Sequence, residues 1–301
     1  METPEIEEPT RVDDCSDQPS LPSLKFSELL GPPPYVLDPE TLENSFNPFP
    51  PLRFRQVDED TLVKYGKNVT LAEAEAMDFV SRNTRVKVPK VIGAYKLHDH
   101  GYILMSFESG KDLPDFWGGA SFEQKESVIA TLQHYVADMR ALKGNYVGGF
   151  NRSPCVSGEF EWDMDTTGNY KYGPYADESS FNDGLIDALQ RAHPGPENKN
   201  LESEGYNNRY RTKQLIRSLR GHDVVFTHGD LHANNILVQD DLSVIVLDWY
   251  TAGFYPAYWE WYKATWHGVF EPSFIRQVER FIPPYWIEAN IMQQIFDKII
   301  G

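Results

Sequence analysis

Three short apolar runs separated by polar turns make up the most informative part of the sequence, at residues 224–250. The runs occupy residues 224–226, 236–238 and 244–247, and they are rich in Val and Ile. Short β-branched runs bounded by turn residues are typical of strands. The pattern therefore predicts a strand, a polar connection at residues 228–235, and a second and third strand joined by the turn at Asp240 and Asp241.

The connections between these strands carry the residues that phosphoryl transfer requires. This chemistry needs a carboxylate that orients the attacking hydroxyl, and oxygen ligands for the Mg²⁺ that bridges the nucleotide phosphates. The kinase catalytic loop has the pattern H-R-D-x-x-x-x-N, and His228-Gly229-Asp230 precedes Asn235 at the same Asp-to-Asn spacing. Asp248 ends the last strand, where kinases carry the Asp of Asp-Phe-Gly. The spacing therefore predicts a phosphoryl-transfer site.

Composition narrows the class of protein. With 301 residues, 41% of them hydrophobic, the chain is long enough for one large domain or two lobes. The net charge of −17 argues against nucleic-acid binding, which depends on Lys and Arg. The two cysteines, Cys15 and Cys155, form no CxxC pair, and no segment approaches 18 apolar residues. A cytoplasmic protein without membrane contact is expected, since the acidic N-terminus is unlike a signal peptide.

The first fifty residues differ from the rest. Residues 1–23 are acidic and rich in Pro and Ser, which predicts a disordered tail. Residues 24–51 contain prolines at 32–34, 48, 50 and 51, which predict an extended strap with a short helix at 26–30.

Residues 52–110 predict a small β-sheet with one helix. Strands are expected at 52–56, 61–65, 91–97 and 102–107. Thr70 is a candidate helix N-cap with Glu73 at capping-box spacing, so Glu73 has a purely local interpretation. Lys64 lies in the second strand, where a lysine usually just faces water.

From residue 111 the pattern becomes helical. Ser121 and Gln124 form a second capping-box pair, at the start of a helix expected to end at Gly144. Residues 145–180 look irregular. Further helices are expected at 181–193, 202–219 and 256–270, with two more within 272–300. The predicted domains are therefore an N-lobe at 52–110 and a C-lobe at 111–301.

Residues 228–237 read HGDLHANNIL and resemble the HGDLHxxNIL signature of the aminoglycoside phosphotransferase/choline kinase-like superfamily. Residues 246–249 resemble the hydrophobic-Asp-Trp motif that follows it. Segments similar to the motifs of the family's first lobe occur at 62–66, 73–80, 88–91 and 103–106. Segments similar to a large fungal branch of the family occur at 173–175, 181–182, 252–253 and 259–260. The resemblance covers residues 50–290 approximately.

The resemblance implies an α+β, two-lobed protein-kinase-like fold and an ATP- and Mg²⁺-dependent kinase. The partners would be a nucleotide and a small molecule, whose hydroxyl receives the γ-phosphate. By the resemblance, Asp230 would be the catalytic base, and Asn235 and Asp248 would hold Mg²⁺. A protein kinase is less favoured, since no Ala-Pro-Glu signature follows Asp248.

The resemblance also implies the nucleotide-binding residues. Lys64 would bind the α- and β-phosphates and pair with Glu73, with Glu75 as the rival partner. Glu73 is preferred because Met77 and Val80 then lie at the family's offsets of four and seven. The backbone of the linker would contact adenine through Ser106, Phe107 and Glu108.

One departure from the kinase pattern concerns the turn at residues 56–60, which contains no glycine and three carboxylates. Kinases cover the phosphates with a Gly-rich turn. If this turn has that place, either it stands back from the nucleotide or nucleotide binding is weak. The alternative hypothesis is therefore a catalytically weak or inactive kinase-like binding module.

Other candidates have competing interpretations. His228 and His232 are four apart, which could suggest zinc, but Gly229 interrupts them and the segment is a loop, so His228 is expected to brace the loop. Most aromatic residues after Asp248 are expected in the core. The possible substrate-pocket residues are Tyr250, Tyr255 and Glu260, with Asp163 as a further acidic candidate for a cationic substrate.

Overall fold

The computed structural model describes residues 24–37, 53–161, 172–192, 204–266 and 276–300, and these residues form two compact units. The first, which we call the β unit, contains the described part of Met1–Asn83 together with Lys87–Gly110. The second, the helical unit, contains Thr84–Val86 and the described part of Lys111–Gly301. The predicted tail, the second half of the strap (residues 38–51) and Asp163 lie outside the described residues.

The β unit is a five-stranded antiparallel sheet with one helix. Its strand order is β1-β4-β5-β3-β2. The elements are β1 (Leu24–Phe26), β2 (Arg53–Gln56), β3 (Thr61–Gly66), α1 (Leu71–Asn83), β4 (Val91–Leu97) and β5 (His100–Ser106).

The two faces of this sheet have different cores, because side chains alternate along each strand. On one face Tyr95 and Tyr102 stack with ring centroids 4.8 Å apart, in a cluster that also contains Val63. On the other face Ile103 packs with Ala74 of α1. This alternation directs Lys64, whose neighbours face the tyrosine cluster, towards the helix side.

The predicted short helix at 26–30 is wrong. Residues Leu24–Phe26 instead form β1, which pairs with β4, and a turn follows in which the Gly31 N–H donates to the Ser27 carbonyl at 2.9 Å. The reason is tertiary: β4 has β5 on one side only, and β1 satisfies the backbone groups on its other edge. Gly31 has a φ of 76°, which suits glycine.

The helical unit contains seven helices and two small three-stranded sheets among the residues described. The sheets have the orders β10-β9-β6 and β7-β11-β8. Its strands are β6 (Lys111–Asp112), β7 (Gly148–Gly149), β8 (Val224–Thr227), β9 (Ile236–Val238), β10 (Val244–Val246) and β11 (Gly253–Pro256). Its helices are α2 (Leu113–Gly119), α3 (Phe122–Ala141), α4 (Gly158–Glu161), α5 (Glu178–Ala192), α6 (Glu204–Ser218), α7 (Trp259–Trp266) and α8 (Trp286–Ile300). The three strands predicted between residues 224 and 247 are confirmed as β8, β9 and β10.

The helix predicted at 256–270 begins only at Trp259, because the chain before it forms β11. This strand lies between β7 and β8. A Cβ at Gly253 would lie 2.2 Å from the carbonyl oxygen of Gly148, so glycine permits the close approach of β11 to β7. The aromatic side chains of this segment, Tyr255, Tyr258, Trp259 and Tyr262, all pack in one hydrophobic core with residues of the surrounding helices.

No helix among the described residues is both long enough and apolar enough to cross a membrane.

Candidate active site

The loop that follows β8 begins with His228, whose side chain is fully buried. Its Nδ1 accepts a hydrogen bond from the Asp230 N–H at 3.2 Å, and its Nε2 lies 3.0 Å from the Leu247 carbonyl oxygen. One nitrogen must accept and the other must donate, which defines the neutral tautomer with the proton on Nε2. Burial lowers the pKa of His228, in agreement with a neutral ring. His228 thus connects the loop to the end of β10.

Glu260 at the start of α7 holds the same loop from the other side. Its carboxylate accepts the N–H of His228 at 2.6 Å and the N–H of Gly229 at 3.1 Å, and its side chain is buried. Burial raises the pKa of Glu260 to about 7, against the opposing effect of these two hydrogen bonds. The expectation that Glu260 lines a substrate pocket is therefore wrong, because both of its oxygens face the loop backbone.

Asp230 is held by Asn235. The amide nitrogen of Asn235 donates to the Asp230 carbonyl at 2.9 Å and to its Oδ2 at 3.0 Å. His232 also lies close, with Nε2 3.5 Å from Asp230 Oδ2, while its Nδ1 accepts the N–H of Asn234. The Asn235 nitrogen is thus directed at Asp230. Asp230 keeps 26% of its side chain exposed.

Asp248 reaches the same end of the β9–β10 hairpin as Asn235. Val246 pairs with Ile236, and the N–H of Leu247 then donates to the Asn235 carbonyl at 2.8 Å. Asp248, directly after Leu247, has a left-handed backbone with φ of 59°. Such a conformation is uncommon outside glycine, and it clusters at functional sites.

Zinc binding by His228 and His232 finds no support among the described residues. No group of three His, Cys, Asp or Glu side chains in this part of the chain has the arrangement of a metal site. His228 is instead committed to two loop contacts, and His232 caps the short 3₁₀ turn at Ala233–Asn235.

In the β unit, Lys64 forms a buried ion pair with Glu73. Lys64 Nζ lies 2.7 Å from Glu73 Oε1, and each side chain is only 2% exposed. The Glu73 N–H donates to Thr70 Oγ1 at 3.4 Å, so the N-cap bond is present while the Glu73 carboxylate turns to β3. The rival, Glu75, accepts the hydroxyl of Ser27 at 2.5 Å. A basic group that is buried and paired in this way is held in one orientation.

The model of the Phosphotransferase enzyme family matches residues 66–285. The chain belongs to the phosphotransferase enzyme family. A search among curated proteins found no match.

Solved structures show the fold of this phosphotransferase-family chain. It is similar to a thermostable mutant of the aminoglycoside phosphotransferase APH(4)-Ia in its apo form, with 12% identity, a TM-score of 0.51, and 83% of this chain and 84% of that chain covered. A ternary complex of a thermostable mutant of the same enzyme with ADP and hygromycin B gives 11% identity, a TM-score of 0.51, and 82% and 85% coverage. The predicted α+β, kinase-like fold class is thereby confirmed.

The linker of the phosphotransferase fold uses two of its backbone N–H groups internally. The Ser106 N–H donates to the Lys90 carbonyl at 2.9 Å, and the Phe107 N–H donates to the Asp60 carbonyl at 2.7 Å. The Ser106 hydroxyl donates to Glu108 Oε1 at 2.6 Å. The expected backbone contact with adenine therefore cannot use the N–H of Ser106 or Phe107 in this conformation.

The glycine-free turn lies at the linker end of β3. Thr61 pairs with Ser106, whereas Lys64 pairs with Ile103, three residues or roughly 10 Å further along the strand. The turn at 58–60 is thus set back along β3 from Lys64. The alternative of a catalytically weak or inactive kinase-like module remains a prediction.

Tyr255 does not face a pocket. It lies in β11 with 0% of its surface exposed and stacks on Trp259 with ring centroids 5.2 Å apart. Tyr250 is half-buried, beside Thr251, whose hydroxyl donates to the His228 carbonyl at 2.9 Å. Of the two predicted pocket tyrosines, Tyr255 is buried in the core, and a pocket role for Tyr250 remains a prediction.

Sequence reasoning misses two contacts of the site, the backbone of Leu247 and the hydroxyl of Thr251, and it gives Glu260 a role in a pocket instead of its role as a loop anchor. Each acts on the loop from 19 to 32 positions away along the chain. Only the short, charged Glu260 amid aromatic residues offers a signal, since a carboxylate there must find buried donors.

Proposed function

We propose that the protein is an ATP- and Mg²⁺-dependent phosphotransferase that transfers the γ-phosphate to a hydroxyl of a small molecule. The observation that supports this most directly is the arrangement of Asp230, Asn235 and Asp248 around one end of the β9–β10 hairpin. An accessible carboxylate and two oxygen ligands, held by a fully buried histidine, are the parts that phosphoryl transfer requires.

Asp230 is the proposed base. Its Oδ2 accepts the Asn235 amide, which fixes the carboxylate while part of the side chain stays exposed. A fixed carboxylate can orient the acceptor hydroxyl and take its proton as the new P–O bond forms. The acceptor hydroxyl must therefore come within hydrogen-bond distance of Asp230.

The donor set fits a hard divalent cation. Asn235 would contribute its amide oxygen and Asp248 its carboxylate, and Mg²⁺ prefers such oxygen ligands. Bound there, the ion supplies positive charge that offsets the charge of the nucleotide phosphates.

Lys64 is the proposed phosphate-binding cation of the β unit. Its ammonium group is already desolvated and oriented by Glu73, so binding a phosphate costs little additional side-chain entropy. Phe54, on β2, places its ring 5.8 Å from the same nitrogen.

The test is a screen of small molecules with free hydroxyls, including aminoglycosides, choline and sugars, for ADP release from Mg·ATP. The blank is Asp230→Asn, which keeps the size of the side chain and its bond to Asn235 but removes the base. We expect the wild type to release ADP only when an acceptor is present. We expect Asp230→Asn to release none, while its melting temperature stays that of the wild type. Equal release by both proteins would contradict the assignment of Asp230.

A further inference from the structure

Helix α1 is held from two opposite sides by two buried carboxylates. Glu73 and Glu75 are two positions apart, which places them about 200° apart around the helix. Glu73 faces β3 and pairs with Lys64. Glu75 faces the described part of the strap, residues 24–37, which we call the N-terminal strap from here on, and it accepts a hydrogen bond from Ser27. The exposed fractions are 2% for Glu73 and 7% for Glu75, so both carboxylates make their contacts in the interior of the β unit.

Ser27 is a fixed donor. Its Oγ accepts the N–H of Leu29 at 3.1 Å and that of Leu30 at 3.2 Å, which uses its lone pairs within its own turn. Its one hydroxyl proton is therefore directed at Glu75 Oε1, 2.5 Å away. Ser27 itself is only 2% exposed.

The strap that carries Ser27 is anchored to the sheet at both ends. At one end β1 pairs with β4, with Phe26 opposite Tyr95. At the other end the N–H of Leu37 donates to the Tyr95 hydroxyl at 2.9 Å. Between them Leu30 packs against the apolar cluster that contains Ala74 of α1. The strap therefore packs against α1 while both of its ends are bonded to the sheet.

We propose that Ser27 is a positioning residue for nucleotide binding, because by holding Glu75 it fixes α1 where Glu73 keeps Lys64 in place for the phosphates. The step in which Lys64 binds phosphates rests on the proposed function. The contacts that join Ser27, Glu75, Glu73 and Lys64 all lie within the β unit. It makes the N-terminal strap part of the nucleotide-binding machinery.

The test compares the full-length wild type with Ser27→Ala, Glu75→Met and Glu75→Gln. The first two variants remove the donor and the acceptor. Gln keeps an Oε1 that can accept from Ser27, so it is the conservative rescue. Ser81→Ala, which removes an exposed hydroxyl from the same helix, is the matched control.

The first readout needs no catalysis: acylation of Lys64 by an amine-reactive ester, measured by peptide mass spectrometry relative to the exposed Lys90. In Ser27→Ala and Glu75→Met, loss of one buried hydrogen bond should raise Lys64 labelling about fivefold. The second readout is nucleotide binding, in which the KM for ATP should rise by a similar factor while kcat changes little. Glu75→Gln and Ser81→Ala should match the wild type in both.

The outcomes separate this inference from the function on which it depends. Unchanged Lys64 labelling and unchanged nucleotide affinity in both Ser27→Ala and Glu75→Met would overturn it. If Ser27→Ala does not fold, Glu75→Met decides, since it leaves no unpaired carboxylate at position 75. If the wild type itself fails to bind Mg·ATP, the proposed function falls, and the labelling ratio still decides whether Ser27 holds α1.

Discussion

A single carboxylate, that of Glu260, determines how the loop around Asp230 is held. Its two oxygens satisfy two consecutive backbone N–H groups that would otherwise be buried without acceptors. A neutral amide in its place can accept only one of these bonds. The loop is therefore held by the Glu260 carboxyl group, and burial of that group disfavours its ionised form.

Glu260→Gln should change the pH dependence of stability. The pKa of Glu260 is about 7 in the folded protein, against an ordinary value of 4.5. The folded state therefore binds a proton between these values that the unfolded chain does not, so the contribution of Glu260 to stability is fully present below pH 4.5 and is lost as the pH rises through 7. The advantage of the wild type over Glu260→Gln should shrink by roughly 3 kcal/mol from pH 4.5 to 8, measured by urea unfolding.

The control for this experiment is Glu126→Gln. The Arg280 guanidinium, 2.6 Å from Glu126, lowers the pKa of that exposed carboxyl, so its small pH effect should have the opposite sign. A pH-independent difference for Glu260→Gln would show that Glu260 is not buried as an ionisable anchor.

Among the elements, those with local signals follow from the sequence and those decided by distant contacts do not. The helix after Ser121 is marked by its own capping box, and α3 begins at Phe122 as expected. The strand β11 has no such signal, because glycine is needed at position 253 only to allow the close approach of Gly148, which is distant in the sequence. The same distinction holds for the site. The spacing of Asp230, Asn235 and Asp248 is visible in the sequence, whereas the contact between Glu75 and Ser27 spans 48 positions.

Removing the cap of α3 should weaken the helical unit. Ser121 Oγ accepts the Gln124 N–H at 3.2 Å, and Gln124 Oε1 accepts the Ser121 N–H at 2.8 Å. Ser121→Ala should lower the free energy of unfolding by about 1 kcal/mol, measured in urea. Ser121→Asp retains a capping oxygen and should cost much less; equal losses in both variants would indicate that the cap is not the cause.

For the molecule as a whole, the proposed function requires that a nucleotide stabilises the folded chain. A ligand at a hundred times its Kd adds about 2.7 kcal/mol, which corresponds to several degrees in melting temperature. Millimolar Mg·ATP should therefore raise the melting temperature, and ATP with a chelator should raise it less. A melting temperature unmoved by millimolar Mg·ATP would contradict the enzyme assignment.

The connection that follows Asp248 is very short. Four residues separate it from β11, which pairs directly with β8, the strand that leads into the catalytic loop. Many kinases are switched on when a long segment after the metal-binding Asp becomes ordered by phosphorylation. Here the four residues leave no room for such a segment. Under the proposed function, phosphorylation of this stretch is therefore not expected to switch the enzyme on.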